Sequence, residues 1–287
     1  MSALRYIRMH GCGNDYIFID AFSQPAPPHP ETLARRLSDR HRSVGGDGLV
    51  LMLPPTLDGC HARMRMFNSD GSEGSLCGNA LRCMALWLHH NNHAPRSMTI
   101  EMHGRSIHAE VLQLESHPHI SGKVRITPPA PRALKPELPT PACFARHVEL
   151  ADVHVPGLLQ TPLHADPGNP HLVLFVRQLS EVPLEQLGPV IEHHTAFPNR
   201  TNVEFTEVIQ TNTVRVRVWE RGSGETLACG SGACAVALAG AAIGLFDHSR
   251  PIHVHMTGGL LLVHLQPGGS LQLEGPAEEC CQGAISL

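Results

Sequence analysis

The chain has 287 residues, of which 42% are hydrophobic and 17% charged, with a formal net charge of -4 at pH 7. That length suffices for two domains that each bury a core, and the acidic balance offers no basic surface for nucleic acid. Met1 to Arg8 is too short and too charged for the apolar core of a signal peptide, and no later apolar run could span a bilayer, so a cytoplasmic protein without a membrane partner is expected.

Taken in chain order, Gly13-Asn14-Asp15 leads into a strand-like run from Tyr16 to Asp20. The proline-rich stretch Gln24 to Pro30 reads as a surface loop before a helix from Glu31 to His41. His61 to Phe67 alternates polar with apolar residues, as a half-buried strand does. A glycine-rich turn then leads to Cys77, and the run Ala80 to Leu88 favours helix. Thr99 to Gly104 follows, and prolines crowd from Pro128, Pro129 and Pro131 through Pro136, Pro139 and Pro141. The join between domains is placed there, near residue 130.

The second half repeats the first. Val214 to Trp219 resembles the strand at 61–67, with Arg63 matching Arg215 and Arg65 matching Arg217, and Cys77 and Cys229 follow these strands at the same distance. Gly168-Asn169-Pro170 before His171 to Val176 resembles the segment at 13–20, and His253 to Gly258 resembles 99–104. Three matched pairs in one order indicate a duplicated domain. The expected fold class is α+β: two pseudo-symmetric domains, 1–130 and 131–275, each a mixed, barrel-like sheet wrapped around a central helix. The tail, about 276–287, is expected to pack back on the first domain. The helix after Cys229 is rich in alanine, has almost no polar face and must be buried.

A strand, a glycine-rich loop and a helix starting at the cysteine would set each sulfur at a helix N-terminus, where free N–H groups and the helix dipole stabilise anions and lower a thiol pKa. One such cysteine is ordinarily a buried small hydrophobe; two in matched loops point to function. Cys77 and Cys229 are therefore expected to face each other across a substrate, one thiolate removing a proton from a stereocentre and the other thiol returning one to the opposite face. The helix N-termini would bind the substrate carboxylate and stabilise its developing charge. Cys83 and Cys234 fall inside the helices as core, and Cys12, Cys60, Cys143, Cys280 and Cys281 have no matched partner. The only lysines are Lys123, in a strand-like run, and Lys135, in the proline-rich join, so pyridoxal phosphate, which needs a Schiff-base lysine, is not expected. Although there are 21 histidines, with His89, His90 and His93 grouped and His253 and His255 alternating, no CxxC pair or HExxH motif supports a metal site. No cofactor or metal is expected.

The segments MHGCGNDYIFID at 9–20, FNSDGSEGSLCGNALRC at 67–83 and ERGSGETLACGSGAC at 220–234, with GNPH at 168–171 and RTNVEF at 200–205, resemble the diaminopimelate epimerase family over essentially the whole chain. The resemblance implies Cys77 and Cys229 as the two bases, with Gly78, Asn79, Gly230 and Ser231 offering donors to the reacting carboxylate. It implies Glu220 and Arg221 at the amino or carboxylate groups of the substrate, Asn14, Asn68, Asn169 and Asn202 largely at its distal end, and His171 with Glu220 tuning the thiols. It also implies a homodimer. Ser231 stands where the family usually has Thr, Ala80 where it usually has Gly, and Gly48 where many members have a substrate-binding Gln. If position 80 needed a positive φ, alanine would be strained there. The alternatives are a two-cysteine racemase or epimerase acting on proline, hydroxyproline or histidine, and a non-enzymatic redox or metal-binding thiol protein.

Overall fold

The computed structural model describes residues 3–74, 76–135, 137, 138, 142–267 and 269–286. Pro136, Pro139 and Pro141 of the expected join lie outside them. The chain divides into two compact units, 1–127 with 274–287, and 128–273.

In the first unit the chain runs β1 (Ala3–Gly11), β2 (Asn14–Asp20), α1 (Pro30–Ser38), β3 (Gly48–Leu53), β4 (Ala62–Asn68), α2 (Gly78–His90), β5 (Ser97–Met102), β6 (Arg105–Glu115) and β7 (Ser121–Thr127). The later part of β16 (Leu271–Ser286), from Glu274 on, completes it. The strands are hydrogen-bonded in that order, and β16 pairs antiparallel with β1, which closes the ring. β2–β3 and β4–β5 pair in parallel, while β1–β2, β3–β4, β5–β6 and β6–β7 are antiparallel. This is the mixed barrel. Residues 79–88 of α2 are all buried, so the helix is the filling of the ring, as its apolar run requires.

β1 and β2 are joined by Cys12 and Gly13, with φ of 55° and 80°, and Gly11 pairs with Asn14 across them. Two left-handed central residues make the type I′ turn that suits strand twist. Asn14 is thereby delivered at the first position of β2. The helix expected to reach His41 stops at Ser38, because Asp39 turns to extended backbone (ψ 110°) and its carboxylate accepts the N–H groups of His41 and Arg42. Pro30 opens this helix instead of ending the loop before it, a position where its missing N–H costs nothing.

The second unit repeats the pattern with β8 (Ala145–His147), β9 (Leu163–Ala165), β10 (His171–Val176), α3 (Leu184–Glu192), β11 (Asn202–Gln210), β12 (Thr213–Glu220), β13 (Gly224–Thr226), α4 (Gly230–Ala242), β14 (Ile252–Met256), β15 (Gly259–Leu265) and the start of β16. β10–β11 and β12–β14 pair in parallel, β11–β12 and β14–β15 antiparallel, which matches β2–β3, β4–β5, β3–β4 and β5–β6. His171 pairs with Asn202 as Tyr16 pairs with Gly48, which makes these positions equivalent. Gly230 and residues 232–241 of α4 are buried. Among the described residues no helix is long and apolar enough to cross a membrane.

Candidate active site

Each expected cysteine is the N-cap of the helix inside its own unit. Cys77 and Cys229 have extended backbone, φ -133° and -125°, and each sulfur accepts the N–H three residues on: Ala80 at 3.5 Å and Gly232 at 3.4 Å. This is the usual N-cap hydrogen bond with sulfur in place of oxygen. Cys77 belongs to the first unit and Cys229 to the second.

Around Cys77 the first unit gathers neutral groups. Asn14 Oδ1 lies 3.5 Å from the sulfur and accepts Asn79 Nδ2 at 3.0 Å. The Tyr16 hydroxyl adjoins both Cys77 and Asn14, and burial keeps it protonated far above its ordinary range. Asn68 sits at the end of β4 and donates to Ser72 Oγ at 2.9 Å. Gly48, the departure noted in the sequence, has no room for a side chain: a Cβ there would lie 2.2 Å from the Phe67 carbonyl oxygen and 3.1 Å from Tyr16. A glutamine contact from this position is closed by the β3–β4 ladder. Ala80 lies in the first turn of α2 with no positive φ, so it carries no backbone strain.

Around Cys229 the second unit gathers charge. His171 and Glu204 are both fully buried, with Nδ1 to Oε1 at 2.6 Å, and His171 Nε2 meets Asn169 Oδ1 at 3.1 Å. Glu204 Oε2 is buried without a hydrogen-bond partner. Glu220 turns its carboxyl inward to Thr226 Oγ1, 2.5 Å away, and to Cys229. Burial pushes Glu220 above the ordinary carboxylate range, and the Thr226, His171 and Cys229 interactions only partly offset it. The Cys229 thiol is driven well above its ordinary value, first by burial and then by Glu220 and Glu204, against the bonds from Ser231 and Gly232. The sequence suggested a thiol lowered by its helix N-terminus. Here the N-terminal donor is present, but burial and two carboxylates outweigh it.

Gly232 is required by the same crowding. A Cβ there would stand 2.9 Å from Glu204 Oε1 and 3.4 Å from the Cys229 sulfur. Ala80 is its counterpart, and Val50 stands where Glu204 stands, so the first unit has no carboxylate at that place. Asn202 bridges two pieces of backbone, donating to the Pro170 carbonyl at 2.8 Å and accepting the Arg221 N–H at 2.9 Å. Arg221 in turn donates to the Asn199 carbonyl at 3.1 Å. Gly78 and Gly230 are the first residues of the two helices, and Ser231 Oγ lies 3.4 Å from the Cys229 sulfur. Thus Asn14, Asn68, Gly78 and Asn79 collect in the first unit, and Asn169, His171, Asn202, Glu220, Arg221, Gly230 and Ser231 in the second. Glu204, Thr226 and Asp47 were not singled out from the sequence. Glu204 lay inside the RTNVEF segment and carried the signal of a carboxylate among strand residues.

Among the described residues no cluster of three or more histidine, cysteine or acidic side chains could hold a metal ion. Two helices, each packed within the sheet of its own unit and capped by a thiol in an equivalent place, are the arrangement of a two-thiol epimerase, an isomerase. The family model of diaminopimelate epimerase matches residues 6–127 and 164–279. Over 283 residues the chain is 41% identical to the diaminopimelate epimerase of Desulforudis audaxviator, covering 98% of each chain. It is 38% identical over 289 residues to that of Bacillus cytotoxicus, covering 99% of this chain and 97% of that one. The chain belongs to the diaminopimelate epimerase family. Among solved structures, a hydroxyproline epimerase from Agrobacterium vitis matches with a TM-score of 0.70 at 14% identity, covering 99% and 93% of the two chains. A phenazine biosynthesis protein of the PhzF family from Bacillus anthracis matches with 0.68 at 16%, covering 100% of each. At such identities the likeness is one of fold.

Proposed function

We propose that the protein interconverts LL- and meso-diaminopimelate by a two-base reaction without cofactor, as a step in lysine and peptidoglycan-precursor synthesis. One of Cys77 and Cys229, as thiolate, takes the α-proton; the other, as thiol, gives its proton to the opposite face of the same carbon, and the reverse reaction exchanges the roles. The N–H groups at the starts of α2 and α4, from Gly78, Asn79, Gly230 and Ser231, receive the α-carboxylate and the charge it gains. Asn14, Asn68, Asn169 and Asn202 hold the distal end, and Arg221 with Glu220 contacts the carboxylate or amino groups. His171 and Glu220 tune the Cys229 thiol. The observation that carries this reading is the matched pair of N-cap cysteines, each with its sulfur on a backbone N–H. The two lysines fall on β7 and at 135, and the chemistry assigned to the thiols needs neither.

The reading includes a duplicated chain with domains of 1–130 and 131–275 and a tail of about 276–287 that joins the first, a homodimer, and a cytoplasmic location. Its test is incorporation of deuterium from D2O at the α-carbon of LL- or meso-diaminopimelate, beside proline, hydroxyproline and histidine, with no cofactor added. Exchange and epimerisation of diaminopimelate are expected, with turnover abolished in Cys77→Ala and in Cys229→Ala. Turnover of only the other amino acids would overturn the substrate, and full activity in either variant would overturn the two-base mechanism.

A further inference from the structure

Behind Cys77 stands a chain of side chains whose polarity has one solution. Arg82, in α2, is fully buried; its Nη2 donates to Asn79 Oδ1 at 2.6 Å and its Nε to the Pro276 carbonyl at 3.2 Å. A guanidinium has donors only, so the Asn79 oxygen is fixed toward it and Asn79 Nδ2 turns to Asn14 Oδ1. From the other end, the Asp47 carboxylate has acceptors only. It takes Asn14 Nδ2 at 2.7 Å and the Asp15 N–H at 3.0 Å, and Arg40 Nη2 holds its second oxygen at 2.8 Å. Amide groups can ordinarily be turned end for end. Here a donor-only group at one end and an acceptor-only group at the other fix both of them, and Asn14 presents its oxygen to the Cys77 sulfur. Gly11 leaves space for this chain, since a Cβ there would lie 3.0 Å from Arg82 Nη2 and 3.2 Å from Asn79 Cβ.

We propose that Arg82 and Asp47 are positioning residues for Cys77, which through Asn79 and Asn14 lock a hydrogen-bond acceptor against its sulfur. An amide oxygen accepts an S–H and repels a thiolate, whereas an amide nitrogen in its place would do the reverse. The lock therefore aims the Cys77 proton and favours the protonated form until the site is charged with substrate. It rests on the reading of Cys77 as an acid and base, and adds the two groups that set its preference. The titratable and charged groups facing this arrangement are Cys12 from the β1–β2 turn against Arg82, Tyr16 from β2, Asp47 and Arg40 from the segment before β3, and Arg82 and Cys83 from α2; Asp15 and Arg8 lie behind Arg40, and Glu278 and Cys280 on β16.

The test is alkylation of the full chain by iodoacetamide across about pH 6 to 10, with Cys77 and Cys229 followed separately by peptide mass spectrometry. Either end alone fixes the two amides, so only the double variant Asp47→Asn/Arg82→Gln lets the amide chain run in either direction; each single variant keeps one fixed end, and Arg82→Lys keeps a donor-only group. The midpoint for Cys77 is expected to move to lower pH in the double variant by more than the shifts of the two single variants added together, with Arg82→Lys close to the parent and Cys229 unchanged throughout. Epimerisation by the double variant should lose about 10- to 100-fold in kcat, with a smaller change in KM. If Arg82→Gln does not fold, Asp47→Asn/Asn79→Ala frees Asn14 from both ends and gives the same reading by alkylation. A folded double variant whose Cys77 shift is only the sum of the single-variant shifts overturns the lock, and so does a parallel shift of Cys77 and Cys229. A parent chain without epimerase activity would overturn the function proposed above, and the alkylation profile would still judge the lock.

Discussion

At the scale of single residues, the two thiols are alike in backbone and unlike in surroundings. Cys77 has Tyr16, Asn14 and Asn68 in the places where Cys229 has His171, Asn169 and Glu220. Glu204 has only Val50 as its counterpart, and replacing it tests the charge around Cys229 directly. Glu204→Gln removes a carboxylate that opposes ionisation of Cys229, so the Cys229 alkylation midpoint should fall to lower pH while Cys77 holds its own. A rise, or no change, would show that Glu204 does not raise this thiol. Gly48→Gln puts a Cβ onto the Phe67 carbonyl and should cost about 1–3 kcal/mol, read as a lower urea midpoint. The N-cap position of each cysteine was legible, because glycine-rich turns followed by apolar runs dictate where a helix begins. The direction of the Cys229 shift was not. It depends on two carboxylates folded in from β11 and β12, and a lone Glu in an alternating strand looks like a solvent-facing residue.

At the scale of elements, the turn between β12 and β13 carries Arg221, and α3 fastens it. Glu192, the last residue of α3, is buried, accepts Trp219 Nε1 at 2.8 Å and the Gly222 N–H at 2.9 Å, and lies 3.5 Å from Arg200. Gly188 lets the helix approach this closely, since a Cβ there would overlap the Trp219 ring at 2.4 Å. Glu192→Ala leaves the half-buried Trp219 Nε1–H and the Gly222 N–H without this acceptor and should cost about 1–3 kcal/mol in urea unfolding. If the turn also positions substrate, KM should rise more than kcat falls; an unchanged KM in the folded variant would confine Glu192 to stability. The strands β4, β12, β2, β10, β5 and β14 were legible as matched pairs because hydrophobic alternation survives in both copies. The end of α1 was not, since Asp39 ends it with a carboxylate turn that the pattern of apolar residues does not mark.

At the scale of the whole molecule, the mixed sheet around a buried helix followed from the all-apolar α4 and the repeated strand order. Ring closure in the first unit comes from residues far along the chain and had no local signal beyond the expected tail. The buried ionisable groups set the stability profile at both ends of the pH scale. Burial works against the Asp15 charge, but hydrogen bonds from Arg40 and Arg8 more than offset it, and its native pKa is lowered. Its contribution is therefore complete above the unfolded value of about 3.9 and lost as pH falls through the native one. Asp15→Asn should flatten the acid limb of a melting-temperature profile. At the alkaline end, burial pushes Cys83 and Cys229 up. Above about pH 8.5 the unfolded chain gives up thiol protons that the native chain keeps, so stability falls as pH rises. Cys83→Ala should show a shallower fall between about pH 8 and 10 than the parent; an identical slope would assign the loss to other groups.

The pairing of β16 with β1 has a consequence in time. A ribosome delivers β1 through β7, then every element from β8 to β15, before it delivers the strand that joins the two margins of the first ring. The first half to be made is thus the last to be finished. Until then it must exist with β1 and β7 as open edges, the kind of surface that recruits foreign strands. A nascent chain stalled before residue 274 should accordingly bind chaperones and be cut readily by protease within residues 3–127, while a chain extended past 286 should resist.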